Sequence, residues 1–167
     1  MNPETLLRLC SFTYLNLPEI YARRLERGET VTLAEVARAL RRLNDLGALF
    51  CGAYLENAGG VLAALETSPL RILAYENDND DTGFVAYAFG EKGGGVIVAV
   101  RGSEGKGKCV PTNVDWRDNF CAPLAGSVQY AAATAFADRY ADGSLLLTGH
   151  SKGGNVALYA QSAAQNP

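Results

Sequence analysis

The run Ser144-Leu145-Leu146-Leu147-Thr148-Gly149-His150-Ser151-Lys152-Gly153-Gly154-Asn155-Val156-Ala157-Leu158-Tyr159-Ala160 reads as a buried strand, a sharp turn and a helix, with Ser151 at the apex. A reversal this tight forces its central residue into a strained backbone geometry. It also demands small residues two places before and two places after, so that strand and helix do not collide. Gly149 and Gly153 occupy those places. The pattern G-x-S-x-G is that of a nucleophile elbow, which lifts a serine hydroxyl above the sheet edge beside the positive end of the following helix. The apolar run Leu145 to Leu147 before it and the small residues Ala157, Ala160, Ala163 and Ala164 after it supply the strand and helix that the motif requires. The plain alternative is a Gly-Ser turn that merely joins strand to helix.

A second chemical signal lies upstream. Val96-Ile97-Val98-Ala99-Val100 has the continuous apolarity of a strand buried on both faces, and Arg101-Gly102-Ser103 follows it directly. In serine hydrolases the backbone amide after the nucleophile, here Lys152, is paired with a second amide from a loop after an earlier strand, and together they hold the developing oxyanion. Arg101-Gly102-Ser103 is placed to be that loop, with the Ser103 hydroxyl as a further donor; a simple glycine turn is the alternative. The longer run Gly102 to Cys109 nearly spells the phosphate loop G-x-x-x-x-G-K-[ST]. It fails where the chemistry matters, because Cys109 replaces the hydroxyl that would hold magnesium. Val110-Pro111-Thr112-Asn113 also suits an extended or turning segment better than a helix start. No nucleotide cofactor is expected.

Composition bounds the rest. With 167 residues, 48% hydrophobic and 20% charged, the chain suits one globular domain with a real core. Its 15 basic and 18 acidic residues give a formal charge of −3, so no basic field favours nucleic acid or an anionic membrane. No apolar run approaches the roughly 20 residues needed to span a bilayer. Met1 to Leu9 lacks a basic segment followed by an apolar one, and a cytosolic location is the expectation. Cys10, Cys51, Cys109 and Cys121 are irregularly spaced without a C-x-x-C pair. With a single histidine in the chain they read as idle or buried thiols, and no metal site is expected.

Between Pro3 and Ile20 a dense apolar stretch interrupted by Pro18 predicts a short helix and a turn. Thr32-Leu33-Ala34-Glu35 has the form of a capping box, followed by Leu33, Val36, Leu40 and Leu43 at helical spacing. A helix is expected to about Leu46, stopping near Gly47. Its Arg38, Arg41 and Arg42 read as the solvated face of an amphipathic helix, not as a phosphate grip. A helical stretch over Leu49 to Leu65 is expected to break at Gly59-Gly60. After Pro69, Arg71 to Tyr75, Phe84 to Phe89 and Val96 to Val100 are predicted strands. The acidic Glu76 to Asp81 lacks the ligand spacing of a calcium loop and reads as an exposed hairpin loop. Gly126 to Tyr140 is an amphipathic helix leading into the elbow strand. Strands alternating with helices in this half argue for an α/β sandwich whose chemistry lies at the strand C-termini. Residues 1 to 66 form a helical lead-in and 67 to 167 the sheet core.

With these segments in place, the chain resembles the class 3 (fungal-type) lipases, and more closely a bacterial family of uncharacterised lipase-like serine hydrolases. Val98 to Ser103 resembles the strand and oxyanion loop, Asp115-Trp116-Arg117-Asp118-Asn119-Phe120 the Trp and acid segment that follows, and Gly149 to Ala157 the elbow. The resemblance covers roughly residues 70 to 165. It implies an α/β-hydrolase-like three-layer sandwich with a mostly parallel sheet, and hydrolysis of a small or lipid acyl ester through an acyl-serine intermediate. It also implies a Ser, Asp, His triad whose last two members lie beyond the elbow. For Asp115 and Asp118 it implies a positioning role near the oxyanion loop, against the plain alternative of surface carboxylates capping a turn.

The chain departs from that pattern. Its one histidine, His150, adjoins Ser151, where an elbow directs side chains away from the serine hydroxyl, so His150 is expected to pack against the sheet and not to act as base. Only 16 residues follow Ser151. The chain is therefore expected to be the N-terminal piece of such an enzyme, nearly inactive alone, with an open sheet edge that favours self-association. The rival expectation is a non-catalytic, lipase-like binding or regulatory module.

Overall fold

The structure is a computed structural model that describes residues 2–43, 57–103 and 126–165. Helix α1 (Pro3–Phe12) starts where Asn2 accepts a hydrogen bond from the Thr5 amide at 2.8 Å and Pro3 presets the first turn. Helix α2 (Glu19–Glu26) follows a link held at Pro18. Strand β1 (Val31–Thr32) runs into helix α3 (Leu33–Arg41), whose Thr32 Oγ1 accepts from the Glu35 amide at 3.2 Å, the capping contact expected from sequence. The helix closes at Arg41, short of Leu46. Leu40 is its last core residue, whereas Leu43, beyond its end, is 47% exposed. Arg38, Arg41 and Arg42 lie exposed on its outer face, as expected, with Arg41 paired to Glu66 at 3.0 Å.

Helix α4 (Ala58–Leu65) runs straight through Gly59-Gly60, against expectation. Burial of Leu62 and Leu65 outweighs the poor helix propensity of two glycines. The glycines fall in the first turn, where Asn57 Oδ1 accepts from the Gly60 amide at 3.1 Å.

Strands β2 (Arg71–Asp78), β3 (Phe84–Gly90), β4 (Val96–Val100) and β5 (Leu145–Gly149) complete a five-stranded sheet in the order β1-β2-β3-β4-β5. Three of its four pairings are antiparallel, and only β4 with β5 is parallel. The expected mostly parallel sheet is thus corrected to a mixed, mostly antiparallel one in an α/β fold. The links 79–83 and 91–95 are too short for a crossover and force hairpins. The 101–144 link, which carries helix α5 (Val128–Asp138), is long enough to return the chain parallel. The acidic run is divided between strand and turn, since β2 continues to Asp78, where Thr82 Oγ1 donates to Asp78 Oδ2 at 2.6 Å.

Alternate residues of β3 and β4 feed two cores. Tyr87, Phe89, Ile97 and Ala99 pack with α1, α3 and α4, while Ala86, Ala88, Val98 and Val100 pack with α5 and helix α6 (Lys152–Gln165). Every residue of β3 is buried, as a strand covered on both faces must be. The lead-in is more than helical, because β1 pairs Val31 with Ile72 at the sheet margin.

Candidate functional site

Parallel, in-register pairing of β4 with β5 brings two loops together. Val98 pairs with Leu147 and Val100 with Gly149, so Arg101-Gly102-Ser103 leaves the sheet beside His150-Ser151. The closeness is steric: a Cβ placed on Gly102 would lie 3.3 Å from Ser151 Cβ and 2.4 Å from the His150 carbonyl oxygen. Both loops therefore emerge at one C-terminal strand edge, where α/β folds place their chemistry.

Ser151 takes φ 56°, the one positive φ at a non-glycine among the described residues. For an L-residue this conformation costs roughly 1–2 kcal/mol. The surroundings enforce it. A Cβ on Gly149 would sit 2.3 Å from the Gly153 carbonyl, and one on Gly153 would sit 2.4 Å from the Val100 carbonyl oxygen. Backbone meets backbone on three sides, so only glycine fits at either place. Helix α6 begins at once: the Gly153 amide donates to the His150 carbonyl and the Gly154 amide to the Ser151 carbonyl, each at 3.0 Å. Ser151 is exposed at the positive end of that helix, and Lys152 and Ser103 are half-buried near it.

His150 does not reach Ser151. Its Nδ1 lies 3.0 Å from the Tyr14 hydroxyl, and the two rings meet edge-on with centroids 6.0 Å apart. The histidine thus packs on a residue of the lead-in. Among the described residues no side chain hydrogen-bonds the Ser151 hydroxyl. Asp115 and Asp118 lie outside the described residues, as do Glu104 to Cys109, Cys51 and Cys121. Cys10 is buried and free, with its sulfur 3.3 Å from Thr148 Oγ1. Burial pushes its thiol up, which keeps it protonated and unreactive. Among the described residues no cluster of potential metal ligands forms.

Sequence reasoning placed Arg101 in the loop after β4 but missed its burial, and it missed Tyr14 altogether. Arg101 is 2% exposed, its amide donates to the Val85 carbonyl at 2.9 Å, and its guanidinium reaches Asn79 Oδ1. Tyr14 is 2% exposed and reaches the elbow from the lead-in. Nothing local in the sequence marks Tyr14. A cavity of about 760 Å³ opens at the other end of β4 and β5, where Gly95, Ser144, Glu91, Lys92 and Arg8 line it, well away from Ser151.

A family model described as Mbeg1-like matches residues 67–167, from the approach to β2 through the elbow, and leaves Tyr14 outside. No curated protein and no solved structure matches the chain.

Proposed function

Starting from the chain's membership of the Mbeg1-like family, we propose that it carries the nucleophile of a lipase-like serine hydrolase, one that cleaves small or lipid acyl esters through an acyl-serine intermediate. The observation that carries this reading is Ser151, exposed at φ 56° between two glycines that no other residue can replace. A strained, solvent-facing serine directly after a sheet strand is costly for stability, and strain of that kind concentrates at reactive positions.

In this reading the Ser151 hydroxyl oxygen attacks the ester carbonyl carbon as its proton passes to a base. The resulting oxyanion accepts hydrogen bonds from the Lys152 amide and from the Ser103 loop beside it, aided by the α6 dipole. Collapse expels the alcohol, and water then releases the acid by the same route. The α/β fold with its elbow after β5 supports the α/β-hydrolase assignment. His150 is held by Tyr14, so the base is assigned outside the described residues. The chain on its own is expected to turn over esters poorly, retaining only oxyanion stabilisation and binding. No helix among the described residues is long and apolar enough to cross a membrane, and a cytosolic setting is part of the proposal. So is self-association through β5, which has one sheet neighbour among the described residues and leaves Leu146 40% exposed.

A second reading, a lipase-like binding or regulatory module, is favoured by the Ser151 hydroxyl's having no side-chain hydrogen-bond partner among the described residues. Fluorophosphonate labelling separates the two. The hydrolase reading expects slow modification at Ser151 and loss of both that labelling and the residual p-nitrophenyl ester hydrolysis in Ser151→Ala. Unmodified Ser151, or undiminished hydrolysis in the variant, would establish the second reading.

A further inference from the structure

We infer that Tyr14, in the lead-in outside the matched family segment, is a positioning residue for the elbow: its phenol, bound to His150, sets the spacing between the Gly102 loop and Ser151. The inference rests on the functional reading above for its catalytic consequence, and on geometry alone for the positioning itself.

Three observations converge on the phenol. Its oxygen lies 3.0 Å from His150 Nδ1, the side chain directly before the nucleophile. The point where a Gly102 Cβ would stand is 2.5 Å from that same oxygen and 3.3 Å from Ser151 Cβ, so the hydroxyl sits on the seam between the two loops. The Tyr14 backbone is also fixed from the opposite direction. The Tyr87 hydroxyl, rising from β3, donates to the neighbouring Leu15 carbonyl at 2.7 Å, and Thr13 Oγ1 donates to the Cys10 carbonyl at 2.7 Å. A buried ring anchored at its base on the sheet and at its tip on His150 is a strut with little freedom. It holds the imidazole away from the Ser151 hydroxyl and holds Gly102 against the apex. Tyr14 thus acts through His150 and Gly102 without touching substrate.

The chain has a single histidine, so the ring nitrogens of His150 give one set of ¹⁵N signals. In Tyr14→Phe the Nδ1 signal should move. Amide exchange at Arg101 and Gly153, whose amides bond to the Val85 and His150 carbonyls, should quicken about tenfold, the size of one ordinary hydrogen bond's net contribution, while exchange in β3 and β4 stays slow. His150→Leu should give the same acceleration, and the double variant no more than either single one. His150→Asn, whose side-chain oxygen can stand where Nδ1 stands, should restore slow exchange. Fluorophosphonate labelling of Ser151 should fall in step with the exchange. An unmoved Nδ1 signal, unchanged exchange in Tyr14→Phe, or additive single variants would overturn the positioning role. If Tyr14→Phe does not fold, the His150→Leu and His150→Asn pair decides it alone. Absence of labelling in the unmodified chain would instead defeat the hydrolase reading, with exchange still deciding the role of Tyr14.

Discussion

Gly149 and Gly153 meet backbone to backbone across the elbow, and a Cβ on the first would stand 2.3 Å from the carbonyl carbon and oxygen of the second. No rotamer change relieves such a contact, because the obstructing atoms belong to the strand and the helix themselves. Gly149→Ala and Gly153→Ala should each cost about 2 kcal/mol or more. Denaturant unfolding checks this, and a midpoint equal to that of the unmodified chain would mean the turn is looser than described.

The strain at Ser151 has its own test. At φ 56° a Cβ is penalised and a glycine is not. Ser151→Gly should therefore be more stable than Ser151→Ala by about 1 kcal/mol, although both lose the hydroxyl. Equal stabilities would remove the strain, and with it the strongest support for a serine held there for reactivity.

Alkaline stability should report on Cys10. Burial lifts its thiol above the ordinary value of 9.0, with the Thr148 hydrogen bond working against the rise. Above that ordinary value the unfolded chain gives up the proton first and so binds fewer protons than the native one. The stabilising contribution is therefore whole below pH 9.0 and is lost as pH rises through the elevated native value. Tyr140, raised from 10.0 by burial, adds a loss of the same sign at higher pH. Unfolding free energies measured on either side of pH 9.0 should fall less steeply in Cys10→Ala.

Tyr87→Phe removes one buried hydroxyl and leaves the Leu15 carbonyl without that donor. A loss of about 1 kcal/mol is expected. Amide exchange should quicken in residues 13–17 before it does in β3, because the strand keeps its own ladder. A uniform change along the chain would show that the link is not anchored at this point.

Much of the fold can be read from local signals. The capping contact of Thr32, the continuous apolarity of Val96 to Val100 and the glycines flanking Ser151 are each encoded within a few residues, where propensity and sterics act directly. That is why α3 starts at Leu33 and β3 and β4 lie where expected, and why the serine sits at a strained apex. Burial then adjusted what propensity left open. Leu62 and Leu65 drew α4 through two glycines, and α3 closed just past Leu40, its last buried residue.

The sequence by itself determined the elbow, because a strand, a tight turn and a helix are local objects whose steric demands leave a pattern in adjacent residues. Only the tertiary structure decided which strands pair antiparallel, that β1 joins the sheet at Ile72, and that Tyr14 reaches His150 from 136 positions away. Pairing direction follows from the lengths of the links between strands. A side-chain contact between residues so far apart in the chain depends on packing between segments that share no periodicity, so no stretch of the chain announces it.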